Sequence, residues 1–272
     1  MDLNVIFDRL DRPARAVVTA GMPYANGPLH IGHLAGAQLP ADIHARWMGL
    51  LIGRENVLLV CGTDDHGATS ELAAMKSDKP VAEAIAELHV AQKRTMDRYA
   101  IGLDIYSGTS RPETFPRHAA RSQAVIQKLY DNGLLKKRTT AQWYDPEVDR
   151  FLPDRLVSGS CPNPKCDNAS AYSDECDVCG HDYDPAELLS PRSAVSSSTP
   201  ELRDTAHLWL DMWHTSDVVK QWLETKKKSW RAVVIQQVLE TLKPSLRFDR
   251  EHEEDYKGFS AELPKHKRKY AP

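Results

Sequence analysis

Pro23-Tyr24-Ala25-Asn26-Gly27-Pro28-Leu29-His30-Ile31-Gly32-His33 is the stretch on which the reading of this chain turns. Just before it, Ala16-Val17-Val18-Thr19-Ala20 is rich in β-branched residues and predicts a short buried strand. After it, residues 34–51 keep helical spacing with no breaker beyond Pro40. Strand, Asn-Gly-Pro turn and helix therefore follow in order, with His30 and His33 where the helix begins. Backbone N–H groups and imidazoles gathered at the positive end of a helix suit an anion such as a nucleotide phosphate. Gly32 leaves room for such a ligand to lie against the backbone.

Working outward, Glu55 to Cys61 predicts a second buried strand, which runs into Gly62-Thr63-Asp64-Asp65-His66-Gly67. Ligands of open α/β sheets collect at this carboxyl edge, and two aspartates with a histidine between glycines exceed what capping a strand requires. Residues 80–100 read as an amphipathic helix whose stripe of Val81, Ala84, Ile85, Leu88, Ala91 and Met96 faces the core. Leu103-Asp104-Ile105-Tyr106 predicts a third strand. Residues 112–132 predict a helix opened by Pro112 and stopped at Asn132-Gly133. The alternation gives an α/β class with a Rossmann-like, doubly wound parallel sheet.

The character changes from about Leu134. Trp143 to Pro146 and Arg150 to Arg155 read as short extended pieces and turns, the serines at 196–198 as a solvated loop, and residues 217–242 as one long amphipathic helix. Lys226-Lys227-Lys228-Ser229 within that helix reads as a solvated face. Cys161 and Cys166, then Cys176 and Cys179, form two close pairs that suit a tetrahedral tetrathiolate zinc site, with each pair on a turn. Four thiolates leave no open position for water, so such a zinc is structural.

Over 272 residues the apolar fraction is 41%, the charged fraction 27% and the net charge −3. These are ordinary globular values without the basic excess of a nucleic-acid footprint. No apolar run is long enough for a membrane span, and no basic-then-apolar leader opens the chain. A reducing cytoplasm is the expectation, which favours metal ligation by the cysteines over disulfides.

The eleven-residue stretch resembles the first signature motif of class I aminoacyl-tRNA synthetases, and Met22-Pro23-Tyr24-Ala25-Asn26-Gly27 resembles the methionyl version. The resemblance implies that His30 and His33 are catalytic. It further implies that Asn26, Gly27, His30, Gly32 and His33 bind ATP with Mg²⁺, that Asp64 holds the amino acid's ammonium group, and that Met22 and Tyr24 shape its pocket. Arg247-Phe248-Asp249-Arg250 resembles the family's return into the nucleotide fold, with Arg250 near the carboxylate. The domains expected are residues 1–118 (first half of the catalytic domain), 119–244 (a connective insertion with its zinc knuckle near 155–185) and 245–272 (the start of the return).

The activity implied is ATP-dependent activation of methionine as its adenylate, for transfer to tRNA. Residues 15–263 resemble only the first half of a synthetase. The last strands, the Lys-Met-Ser-Lys-Ser loop and the anticodon-binding domain have no counterpart in the sequence. A partner chain completing the site is one expectation, and tRNA-independent activation of an amino acid or a non-catalytic binding module are alternatives. The basic residues 266–269 read as a solvated tail.

Overall fold

The computed structural model describes residues 12–210 and 212–242, so Arg250, the 245–272 segment and the basic tail lie outside the described residues. The chain divides into two compact units, residues 1–123 and 124–272. In the first, β1 (Ala16–Thr19) leads through the signature stretch into a continuous helical run. This run comprises α1 (Ile31–His33), a π-helical segment (Leu34–Gln38) and α2 (Leu39–Ile52). Then come β2 (Val57–Thr63), α3 (Ala68–Lys76), α4 (Val81–Arg98) and β3 (Ile105–Gly108), and α5 (Phe115–Asp131) contains the division at residues 123 and 124.

β2 is the central strand of a parallel sheet ordered β1-β2-β3, with Ala16 opposite Val57 and Cys61 opposite Tyr106. Val18, Leu59 and Cys61 of the sheet pack with Ala41, Ala45 and Met48 of α2. Met96 of α4 closes a second cluster with Leu34 and Ile101. Of the stripe expected on α4, Ala84, Ile85 and Met96 are buried, whereas Val81 and Ala91 are exposed.

Some boundaries differ from the sequence expectation, each for a local reason. β2 starts at Val57 because Gly53, at a φ of 90°, leads into a 3₁₀ turn over Arg54–Asn56 that delays the strand. It then runs on to Thr63, which sets Asp64 and Asp65 at its end. β3 starts at Ile105 because the Asp104 carboxylate takes over the pairing there. Its Oδ2 accepts the Leu59 N–H at 2.7 Å and its Oδ1 a guanidinium hydrogen of Arg54 at 2.5 Å. α5 begins only at Phe115, after a turn closed by Thr114 N–H donating to Arg111 O. Gly62 is required by close approach, since a Cβ there would lie 2.4 Å from Ser107 O on β3.

The second unit holds two three-stranded antiparallel sheets. One is β5-β4-β9, from β4 (Leu135–Asp145), β5 (Arg150–Phe151) and β9 (Glu201–Leu210). The other is β7-β6-β8, from β6 (Val157–Ser160), β7 (Ala171–Tyr172) and β8 (Leu189–Ser193). Helices α6 (Met212–Glu224) and α7 (Ala232–Thr241) follow. The short extended pieces expected after Leu134 are therefore corrected to a long ribbon in which Leu135 pairs with Leu210 and Tyr144 with Glu201. β4 is mostly polar, so apolar alternation does not reveal it. The ribbon is held instead by cross-strand contacts such as Arg203 over the Tyr144 ring at 3.6 Å and Thr140 Oγ1 to His207 Nδ1 at 2.7 Å.

The single helix expected over 217–242 is corrected to α6 and α7. Lys226, Lys227, Lys228 and Ser229 lie in the turn between them rather than on a helix face. Trp222 and Trp230 meet edge to face at 5.2 Å. The turn over residues 225–229, where helical structure ends, lies between the two rings.

The serines at 196–198 are also not simply solvated. Asp145 is fully buried, and its carboxylate accepts Ser196 Oγ–H at 2.6 Å, Ser198 Oγ–H at 3.0 Å and the Glu147 N–H at 3.0 Å. Burial opposes ionisation of Asp145, but hydrogen bonds from Ser193, Ser196, Ser198 and Glu147 outweigh it and bring the pKa down to about 2. A depressed carboxylate pKa contributes stability above its unfolded value, near 4, that is lost as pH falls toward about 2. Asp145→Asn is therefore expected to lower the urea midpoint at pH 7, with the deficit shrinking between pH 4 and 2. Five of the six tryptophans lie in this unit and only Trp47 in the other, so tryptophan fluorescence mainly reports the transition. A deficit independent of pH would contradict the assignment.

Candidate functional site

The two histidines at the helical start arrange one another. His30 is the N-cap, and its Nδ1 accepts the Gly32 N–H at 3.1 Å, while His33 Nδ1 accepts the His30 N–H at 3.3 Å. This is a capping box built from imidazoles instead of the usual hydroxyl and carboxylate. The rings lie 3.8 Å apart and tilted by 32°. Because each Nδ1 is an acceptor, each neutral ring carries its hydrogen on Nε2, so both present an N–H donor away from the backbone. Gly32 is what permits this, since a Cβ would lie 2.9 Å from His30 Cε1.

The π-helical segment follows directly, with Leu39 N–H donating to Leu34 O. Such insertions shift the register of a helix. At the end of this one Gln38, 1% exposed, donates through Nε2 to Gly21 O at 2.9 Å.

The signature segment is fastened to the end of β2. Ala25 N–H donates to Asp64 O and Asp64 N–H to Pro23 O, both at 2.9 Å, which pairs Tyr24 with Asp64 as a parallel bridge. Tyr24 and Met22 are about half exposed (52% and 50%), Asn26 is exposed, and Asp64 is half-buried. Among the described residues the Asp64 carboxylate makes no hydrogen bond or ion pair. Tyr24 and Asp64 are thus brought together, as are His30 and His33, while Arg250 lies outside the described residues.

The neighbouring Asp65 behaves otherwise. It is 1% exposed, and its Oδ2 accepts Ser110 N–H at 2.8 Å and Ser110 Oγ–H at 2.9 Å, with Arg111 Nε at 3.5 Å. Burial works against its charge, but hydrogen bonds from Thr63 and Ser110 and the Arg111 guanidinium outweigh it and hold its pKa below the usual carboxylate range. Asp65 N–H also donates to Thr109 Oγ1 at 3.0 Å, so this residue ties the loop after β3 to the end of β2. Below it Thr63 Oγ1 lies 2.8 Å from His89 Nδ1, and the His89 ring stacks on Tyr106 at 4.6 Å. Burial, helped by Arg111, lowers the His89 pKa and keeps that ring neutral. Sequence reasoning passed over His89, Ser110, Arg111 and Gln92. The one available signal was polar residues inside otherwise apolar or turn-like stretches.

In the second unit, the Sγ atoms of Cys161, Cys166, Cys176 and Cys179 all lie within 4.8 Å of one another. Cys161 to Cys179 is 3.8 Å and Cys166 to Cys176 is 3.7 Å, so no disulfide forms. Metal–sulfur bonds of about 2.3 Å in a tetrahedron require sulfurs about 3.8 Å apart, so the quartet fits a metal ion. Asn168 Nδ2–H donates to Cys176 Sγ at 3.3 Å and Asn163 Nδ2–H to Cys179 Sγ at 3.6 Å. Burial pushes Cys161 up to about 12, whereas Cys176, despite burial, is drawn down to about 6 by hydrogen bonds from Asn168, Cys179 and Val178. Ionising all four thiols side by side calls for a cation among them.

Comparison with known proteins bears on this geometry. The family model described as tRNA synthetases class I (M) matches residues 16–270. The chain is 39% identical over 224 residues to the methionine–tRNA ligase of Cytophaga hutchinsonii, covering 82% of this chain and 31% of that protein. It is 42% identical over 214 residues to that of Dinoroseobacter shibae, covering 78% and 36%. The chain therefore spans about a third of the length of these relatives.

Among solved structures, the methionyl-tRNA synthetase of Mycobacterium tuberculosis in complex with methionyl-adenylate superposes with a TM-score of 0.55 at 17% identity, over 84% of this chain and 38% of that one. The Agrobacterium radiobacter leucyl enzyme, in a ternary complex with tRNA, gives 0.53 at 21% identity, over 82% and 24%. The three-stranded parallel sheet is thus of the class I synthetase kind, and the chain belongs to the family of class I tRNA synthetases (M).

Proposed function

We propose that this chain supplies the phosphate-facing and ammonium-facing side of a site that activates methionine with ATP as methionyl-adenylate, for transfer to tRNA. The observation that carries the reading is the imidazole pair at the helical start, whose two Nε2–H groups point away from the backbone. Attack of the amino acid's carboxylate on the α-phosphate places negative charge on non-bridging phosphate oxygens as pyrophosphate leaves with Mg²⁺. Donors fixed beforehand stabilise that charge without reorganising.

In this reading Asn26, Gly27 and Gly32 line the ATP, with His30 and His33 donating to its phosphates. Asp64, whose carboxylate is open, takes the α-ammonium, and Tyr24 and Met22 shape the side-chain pocket from the strand edge. Arg250 orients the carboxylate. The remainder of the site comes from beyond these residues or from a partner chain. Residues 119–244 act as a connective insertion whose Cys161, Cys166, Cys176 and Cys179 hold a structural zinc. A zinc held there would tie the 155–185 loops to one another, with Asn163 and Asn168 donating to the thiolates.

Calorimetric binding of a non-hydrolysable methionyl-adenylate analogue tests the site, and methionine-dependent ATP–pyrophosphate exchange tests catalysis. The analogue is expected to bind, and His33→Asn to cut the exchange rate about 100-fold, the usual loss for one such donor. Folded protein that neither binds nor exchanges would leave the fold without the activity. For the metal, one zinc per chain is expected by elemental analysis. A chelator should lower the melting temperature of the second unit's tryptophan transition and leave the helical signal of the first unit in place. A chain free of zinc, or indifferent to chelation, would refute the zinc assignment.

A further inference from the structure

Gln92 stands in the middle of α4 among the buried residues Ile85 and Met96, and is itself 1% exposed. Its side-chain Nε2 donates to Tyr24 O at 2.9 Å and to Gly27 O at 2.7 Å. Both acceptors are carbonyl oxygens, so the orientation of the amide is fixed, with nitrogen toward the signature segment. The two hydrogens of one NH₂ group thus join both ends of the turn Tyr24-Ala25-Asn26-Gly27 to a single rigid helix. On the opposite side the turn is held by Ala25 N–H donating to Asp64 O at 2.9 Å. The Gln92 Oε1 is buried and has no hydrogen-bond partner among the described residues. An apolar side chain would fill the same space without that orphaned acceptor, so the amide is kept for its donors.

We propose that Gln92 is a positioning residue. It sets the conformation of the Tyr24–Gly27 turn, and through it the placement of Tyr24 and Asn26 against the bound amino acid and nucleotide, without touching either. The identity of the ligand rests on the function proposed above, whereas the control of the turn does not. Without Gln92, two part-buried carbonyls lose their donors and turn toward water, which displaces the residues between them. Displacements of about 1 Å at a reacting centre cost on the order of 100-fold in rate. Gln38 acts in the same sense one step earlier, donating to Gly21 O.

Gln92→Met keeps volume and helical preference but has no donor. Amide exchange by mass spectrometry and affinity for the methionyl-adenylate analogue, per folded molecule, are the two readouts. The Ala25 amide is expected to exchange at least about tenfold faster relative to the amides of α4 and β2 in the same sample, with affinity lower by a similar factor. Uniform acceleration across α4, β2 and the turn, with unchanged affinity per folded molecule, would mean a purely structural role and overturn the proposal.

If the parent protein binds no analogue, the proposed function fails, and the exchange comparison alone decides the case for Gln92. Should Gln92→Met not fold, Gln92→Glu decides it. An ionised carboxylate has no hydrogen to donate, so the variant's loss relative to the parent should shrink as pH falls and the carboxyl regains one. A loss that does not change with pH would overturn the proposal.

Discussion

Two backbone hydrogen bonds carry the organisation of the first unit: Ala25 N–H to Asp64 O and Asp64 N–H to Pro23 O. They extend the parallel β1–β2 pairing beyond the strands themselves, across a segment with a proline on one side and an acidic cluster on the other. Everything chemical in this unit hangs from that pairing. The signature turn is levelled against the end of β2, and the helical run that follows therefore starts beside the sheet edge. Close approach is what makes this possible. Gly62 admits the β3 backbone and Gly32 admits the His30 ring, and each would clash with an added methyl group. Gly32 and Gly62 serve as clearances, whereas Gly27 and Gly67 of the same motifs have open space around them.

The fold of this unit was legible because its periodicities are strong. β-branched strands, an amphipathic helix that buries Ala84, Ile85 and Met96 of its expected stripe, and an Asn-Gly-Pro turn all point the same way. What was not legible has a common physical cause. The β4–β9 ribbon is polar on much of its surface and is stabilised by pairing along its length, a non-local property that no window of sequence contains. The break between α6 and α7 carries no proline or glycine. It coincides with the Trp222–Trp230 contact across the turn, which no local sequence signal announces. The serines at 196–198 looked like solvent-facing residues because their partner, Asp145, lies some fifty residues away along the chain. The cysteine quartet was legible for the opposite reason, since its chemistry is confined to two short turns.

The candidate site divides in the same way. His30, His33 and Asp64 were readable because the motif is local and its residue types are few. Gln92 was not, because a single amide in an apolar stripe looks like a tolerated exception until its two acceptors are seen. Buried polar groups of this kind cost stability when half satisfied, and both Gln38 and Gln92 leave an acceptor unpaired. Their donors all converge on residues 21–27, so the cost is concentrated where the backbone must be held in one shape.

The adjacent carboxylates show how far such division of roles goes. Strand geometry alternates side chains between two faces, so Asp64 and Asp65 are forced apart even though they are chemically identical neighbours. Asp65 shares its face with Thr63 and turns inward, where hydrogen bonds from Ser110 to its Oδ2 and the nearby Arg111 guanidinium favour its charged form. It anchors the loop after β3 although its Oδ1 has no hydrogen-bond partner among the described residues. Asp64 lies on the other face, half-buried, its backbone fully used in the bridge to the signature segment and its carboxylate left open. Exchanging these roles would require a one-residue slip of β2, which would also move Gly62 away from Ser107 and bring a side chain against the β3 backbone. The register that admits the glycine is thus the register that leaves the Asp64 carboxylate open.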